Sequence, residues 1–283
     1  MTDRNNEARL GEMPEERASL STEESTGPKP LSFAAPTEMV ELPSGGKLYP
    51  EGHPLHGVES VEIKFMTAKE EDILTSQSLL KKGVALDRLL ESIIVQPKVR
   101  PDDLLIGDKN AIIVAARITG YGSNYETSVA CPACGERSRF EFDLEDARLV
   151  KGGDAEDVVS TDRGTVKFAL PTSKWQVEVR HLTGKDEKVM SKSLEKRKKH
   201  KLPENSVTEQ FKLIIVSIEG HEDRHTIERA IDSMPASDSR FLRKKYDEIS
   251  PNLDLTQDFT CVHCDAEASM EVPFNTEFFW PGK

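Results

Sequence analysis

Apolar and polar positions alternate with a period of two through Val61-Glu62-Ile63-Lys64-Phe65, which predicts a half-buried strand. Thr67 follows, then the acidic turn Ala68-Lys69-Glu70-Glu71-Asp72. A threonine with glutamate three residues on is the capping-box signature of a helix start. Helical spacing resumes through Leu86, Leu89, Leu90, Ile93 and Ile94. A further helix carries Ile112, Ile113 and Ala116 on one face, with Asp108 expected as its N-cap. Strand-like segments then flank Cys131, the second of them Phe140-Glu141-Phe142.

The second half of the chain repeats this order. When Cys131 is set against Cys261 without gaps, Cys134 meets Cys264 and Phe140-Glu141-Phe142 meets Met270-Glu271-Val272. Asp108 meets Asp238, Ile112 meets Leu242 and Ala116 meets Tyr246, so the helix face persists. Farther upstream the offset shifts, yet Glu41-Leu42-Pro43-Ser44 resembles Ala169-Leu170-Pro171-Thr172, and Val61 to Thr67 resembles Val177 to Thr183. The expected fold is therefore α+β, with two similar α/β halves (residues 37–147 and 148–276) joined by a zinc-ribbon-like pair of C-x-x-C hairpins. Residues 1–36 are rich in Glu, Ser, Thr and Pro around a small apolar knot at Leu31 and Phe33, and they read as a disordered arm. Residues 277–283 form an aromatic tail.

Composition narrows the function. The chain has 283 residues, 36% hydrophobic, and 50 acidic against 38 basic side chains for a net charge of −12. That excess disfavours a general nucleic-acid binder, which needs a basic face. The longest apolar run, Ala111 to Ile118, contains Arg117 and falls far short of the roughly 18 residues of a membrane span. The N-terminus lacks the apolar stretch of a secretory signal, so a soluble cytoplasmic protein is expected. In that compartment four cysteines point to metal or redox chemistry rather than disulfides.

Cys131-Pro132-Ala133-Cys134 and Cys261-Val262-His263-Cys264 each lie between strand-like segments. Two thiolates on a tight turn hold one edge of a metal, and two such knuckles complete a tetrahedron of soft ligands that suits one structural Zn²⁺. The separation of the pairs far exceeds ordinary ribbon spacing, and one knuckle from each half accounts for it. A thioredoxin-like redox pair would need a helix after its first cysteine, where strands are expected here. His263 lies between ligands as a possible substitute, though four sulfurs are the simpler set.

Other motifs carry less. His221-Glu222-Asp223-Arg224-His225 matches H-E-x-x-H, but its charged surroundings lack the apolar stripe of a buried metalloprotease helix. The basic run from Lys192 to Lys201 offers phosphate contacts, and it also fits a solvated helix end. No phosphate-binding glycine loop and no nucleophile triad is assembled, so no enzyme is expected. The aromatic tail Phe278-Phe279-Trp280 is either a partner-docking anchor or a return onto the cysteine ribbon, and the residues alone leave both open.

Glu41-Leu42-Pro43-Ser44 with Leu48-Tyr49-Pro50, the string Met66 to Leu74, Gly107-Asp108-Lys109-Asn110 and the first C-x-x-C hairpin together resemble the T-even-type bacteriophage baseplate hub family. The resemblance covers roughly residues 38–145 and extends to the aromatic tail. It implies a non-enzymatic role in building a contractile-tail baseplate, in contact with other hub or tape-measure proteins, while the acid excess and the short apolar runs leave no nucleic-acid or membrane partner expected. It places the protein in the host cytoplasm during assembly or in the virion baseplate, and it leaves subunit and assembly chaperone open. A zinc-ribbon nucleic-acid-binding protein is the alternative class, and it would act through Lys192 to Lys201.

Overall fold

Hairpins and short helices alternate along the chain in the computed structural model, which describes residues 35–152, 157–200, 205–273 and 278–279. The arm up to residue 34 and Trp280 lie outside these residues. Strand β1 (Thr37–Glu41) pairs antiparallel with β2 (Ser60–Lys64), and the alternation of β2 turns Val61 and Ile63 fully inward. Helix α1 (Ala68–Thr75) begins with the expected capping box. The Thr67 backbone N–H and hydroxyl both donate to Glu70 Oε2, at 3.0 and 2.5 Å. Helix α2 (Gln77–Lys82) stops at Gly83, whose φ of +66° is left-handed. Helix α3 (Ala85–Ile93) buries Leu89, Leu90 and Ile93, and Ile94 just beyond it bridges to Ile63 of β2.

Helix α4 (Ile106–Tyr121) is the central helix, with Ala111, Ile112, Ile113, Val114 and Ala116 all buried. Its N-cap is Leu105, not Asp108 as the sequence suggested. Asp108 stands at the third helical position, fully buried, and accepts three long-range hydrogen bonds. Ser44 N–H donates to Oδ1 at 2.9 Å, while the Ser44 and Tyr49 hydroxyls donate to Oδ2 at 2.6 and 2.7 Å. The carboxyl therefore ties the Leu42-Pro43-Ser44 turn to the helix instead of serving its own N-terminus. Burial nevertheless pushes its pKa up.

A ribbon of β3 (Asn124–Ala130) and β4 (Arg137–Asp143) follows, and then β5 (Arg148–Val150). Strands β6 (Val159–Ser160), β7 (Thr165–Ala169) and β8 (Gln176–Arg180) enter a four-stranded antiparallel sheet. Helix α5 (Gly184–Lys199) opens with a second capping box, where Thr183 N–H and hydroxyl donate to Asp186 Oδ2, both at 2.9 Å. Helix α6 (Ser206–Ile214) leads into β9 (Ile215–Ile218), which completes the sheet beside β8 with Ile215 opposite Val179. Helices α7 (Arg224–Ser233) and α8 (Ala236–Ile249) come next. Asp238 holds the same helical position in α8 as Asp108 in α4. It accepts from the backbone N–H groups of Thr172 and Ser173, both at 2.8 Å. Burial opposes ionisation there, but these donors prevail and hold the carboxyl below its ordinary range. Strand β10 (Asn252–Asp254) returns to pair with β5, and β11 (Thr256–Thr260) and β12 (Glu267–Glu271) form the last ribbon.

The described residues hold two apolar cores. One gathers α3, α4, the β1–β2 hairpin and both cysteine ribbons. The other lies between the four-stranded sheet and α6 to α8. Ion pairs built on buried Lys109 and Asp87 link the elements between them. Lys109 of α4, only 6% exposed, pairs with Glu187 at 2.7 Å and Asp87 at 3.7 Å, and Lys188 pairs with Asp87 at 2.7 Å and with Asp102. No helix of the described residues is long and apolar enough to cross a membrane.

His181, just past β8, makes the fold acid-sensitive. Burial lowers its pKa from 6.5 to about 4, so the unfolded chain takes up a proton at higher pH than the folded one. The contribution is fully present above pH 6.5 and drains away as pH falls through that window toward 4. It amounts to about 3 kcal/mol at most. Urea unfolding at pH 7 and pH 4.5 should show this loss in the wild type and a smaller one in His181→Phe. Equal losses would assign the acid sensitivity elsewhere.

Candidate metal centre

Each cysteine pair sits where a two-stranded ribbon reverses. In the first, Cys131 N–H donates to Glu136 O and Gly135 N–H donates to Cys131 O, both at 2.9 Å, with Gly135 at φ +77°. In the second, Cys261 N–H donates to Ala266 O and Asp265 N–H to Cys261 O, both at 3.0 Å. Asp265, at φ +53°, occupies the left-handed position that Gly135 fills in the first turn, a conformation aspartate tolerates better than most side chains. Both turns aim a backbone N–H at the first sulfur: Ala133 N–H at Cys131 Sγ and His263 N–H at Cys261 Sγ, each 3.4 Å away. Such donors favour thiolate.

The ribbons are clamped side by side. Phe140 meets Phe259 edge-on at 5.2 Å, and the Gln257 carboxamide bonds both the N–H and the C=O of Asp143. This brings all four sulfurs within 4.8 Å of one another, with Cys131–Cys264 and Cys134–Cys261 each at 3.8 Å. That is too long for a disulfide, whose sulfurs lie about 2.05 Å apart. It matches the separation of about 3.8 Å expected for sulfurs placed tetrahedrally about 2.3 Å from one zinc ion. Cys131 and Cys261 are buried, whereas Cys134 and Cys264 face solvent.

Crowded thiols resist ionising together. The Cys134 N–H foremost, with other hydrogen bonds, pulls the Cys131 thiol down to about 6. The Ala266 N–H favours the Cys264 thiolate, yet sharing with the Cys134 and Cys261 sulfurs pushes that thiol up to about 12. One thiolate forms readily and the last is suppressed by its neighbours. The donor set fits a soft or borderline metal, and the four cysteines could hold one.

The remaining sequence candidates are dispersed. His221 lies before α7, bridged to Ile218, while Asp223 caps that helix and His225 is inside it, so the H-E-x-x-H residues do not share one helix face. Glu222 pairs with Arg163 at 3.5 Å. Lys192, Lys196, Lys198 and Lys199 lie in the C-terminal half of α5, whose last turn favours cations; Lys201 lies outside the described residues. His263 is exposed and outside the sulfur cluster.

In the tail, Phe278 and Phe279 are 2% and 3% exposed and belong to the core that contains the cysteine ribbons, as the return onto the ribbon would have them. Phe278 packs edge-on against Tyr125 at 5.2 Å. Its carbonyl accepts from Arg117 Nε at 2.6 Å, and Arg117 also donates to Gly122 O at 2.5 Å and Asn124 O at 3.0 Å. Arg117 is fully buried, and sequence reasoning missed its part in this junction. The signal was a single arginine inside the apolar run of α4.

Comparisons with curated proteins and with solved structures give no match. The family model described as "T4 bacteriophage base plate protein" matches residues 35–280, which include both helix-buried aspartates, both ribbons and the sulfur cluster, and the chain belongs to that family.

Proposed function

We propose that this baseplate protein is a non-enzymatic subunit or assembly factor of the hub, and that its two ribbons share one structural Zn²⁺. The observation that carries the zinc reading is the cluster of four sulfurs within 4.8 Å of one another, two pairs of them at the 3.8 Å of a tetrahedral zinc site. Four protein ligands close the site and leave no position for a reacting water, so its role is to hold the ribbons together. Family membership supports contact with other phage structural proteins, with hub and tape-measure components as the proposed partners. Assembly would begin in the host cytoplasm.

The reading of two related halves rests on paired contacts. Asp108 and Asp238 each bond a Leu-Pro-Ser/Thr turn, Thr67 and Thr183 each open a helix through a capping box, and Ile63–Ile94 pairs as Val179–Ile215 does. One cysteine ribbon follows each set.

Metal analysis of freshly purified protein should find one zinc per chain, and metal-free protein would remove the zinc. Mass spectrometry of purified virions beside infected-cell extract tests the role. A fixed copy number in virions identifies a subunit, and presence in extract alone, bound to hub proteins, identifies an assembly factor. Association with no tail component in either sample would defeat the hub assignment.

A further inference from the structure

A pocket of about 250 Å³ opens where the first turn of α4, the end of β8 and the end of α8 meet. Leu105, Ile106, Leu182 and Pro251 supply apolar wall, and His181 and Ser250 supply polar wall. Three buried side-chain polar atoms make no hydrogen bond of good geometry among the described residues, His181 Nδ1, His181 Nε2 and Ser250 Oγ, although Ser250 lies close enough to the Tyr246 hydroxyl to favour its ionised form. All three belong to this one pocket. Elsewhere the same chain satisfies even demanding groups, such as Asp108 and Arg117, with three bonds each. Native interiors leave few polar groups unpaired, so their concentration on one pocket wall points to a ligand that pairs them.

The chemistry of that ligand follows from the wall. His181 is 4% exposed and surrounded by Leu182 and the Tyr246 ring, 6.2 Å away, so its imidazole is held neutral and offers one N–H donor and one bare nitrogen acceptor. Ser250 adds a hydroxyl that both donates and accepts. The nearby backbone is already engaged: Leu182 N–H donates to the Tyr246 hydroxyl at 2.9 Å, and Ile106 N–H donates to Leu182 O at 3.1 Å. Asp247, at the exposed rim, repels anions. A cation would surrender hydration against apolar walls and neutral partners. The complementary group is neutral, carries a donor beside an acceptor, and has a short aliphatic stem.

We infer that this pocket binds a primary carboxamide on an aliphatic stem, the chemistry of a glutamine side chain or of a small aliphatic amide. The amide NH₂ would donate to the bare imidazole nitrogen and its C=O would accept from the Ser250 hydroxyl. The site is separate from the sulfur cluster and does not depend on zinc.

The test uses the full chain with nitrogen-15 histidine, its His181 ring signals assigned by their loss in His181→Phe. Titration with isobutyramide should move those signals saturably, and isobutyrate, of the same shape but charged, should not. Ser250→Ala, checked for native dispersion of its amide spectrum, should weaken isobutyramide about fivefold, the effect of one hydrogen bond. A second arm uses acetyl-Gly-Gln-Gly-amide. Saturable shifts from this peptide support a protein side chain as the source, and shifts from the free amide alone support a small molecule. Absence of any saturable shift with isobutyramide, an equal response to isobutyrate, or unchanged affinity in Ser250→Ala would overturn the inference.

Discussion

Cys134→Ser and Cys264→Ser are each expected to lower the melting temperature by about 10 °C or more and to abolish stoichiometric metal retention. Both side chains face solvent, so neither substitution removes core packing. The size of the effect comes from the metal. Structural zinc contributes about 10–16 kcal/mol in small peptides, and a third of that suffices here, because about 1 kcal/mol shifts the melting temperature of a domain of 150–250 residues by roughly 2–4 °C. Serine at the buried positions Cys131 and Cys261 combines metal loss with a polar atom in the core, and calorimetry of the four variants separates the causes. If metal closure matters, the exposed pair is nearly as damaging as the buried pair. If only packing matters, Cys134→Ser and Cys264→Ser melt with the wild type, and the zinc clasp is refuted.

Arg117→Met should cost about 4 kcal/mol in urea unfolding. Replacing a buried ion pair by apolar residues is often harmless, because both charges disappear together. Here the partners are the backbone carbonyls of Phe278, Gly122 and Asn124, which stay in place whatever occupies position 117. The Phe278 carbonyl, left buried and unpaired, costs about 1–3 kcal/mol, and the lost bonds to the carbonyls of exposed Gly122 and Asn124 add about 0.5–1.5 kcal/mol each. Arg117→Lys should recover less than half, since one ammonium cannot reproduce the planar fork that reaches three acceptors. A methionine variant within about 1 kcal/mol of wild type would mean that the junction of α4, the first ribbon and Phe278 is held by its aromatic contacts alone.

The sequence was most informative where local rules and tertiary demands coincide. The Thr67–Glu70 capping box, the alternation in β2 and the apolar face of α4 are each encoded within a few residues, and all form as expected. The mixed α+β content and the convergence of four cysteines were legible because the residue patterns and the C-x-x-C spacing express them directly. Asp108 shows the limit. An aspartate at a helix start reads as a cap, and nothing nearby announces that Ser44 and Tyr49 will claim its oxygens from about sixty positions away. Phe278 and Phe279 show the same limit in reverse. Consecutive aromatics look like surplus surface until Arg117 and Tyr125 provide a place for them. The polar wall at His181 and Ser250 was invisible, since neither residue lies in a motif and their common pocket is a product of packing.

The order in which the ribosome delivers the cysteines gives the sulfur cluster a further consequence. The first ribbon emerges with Cys131 and Cys134, and their partners arrive only after the whole second core has been translated. At about 5–20 residues per second that interval is on the order of ten seconds, long compared with the folding of most small domains. Throughout it, the nascent chain carries half a cluster and a first core still missing Phe259, Cys261 and Phe278. Closure of the cluster therefore reports that nearly all of the described chain has been made and brought into register. A product truncated before Cys261 would carry only half of the sulfur cluster.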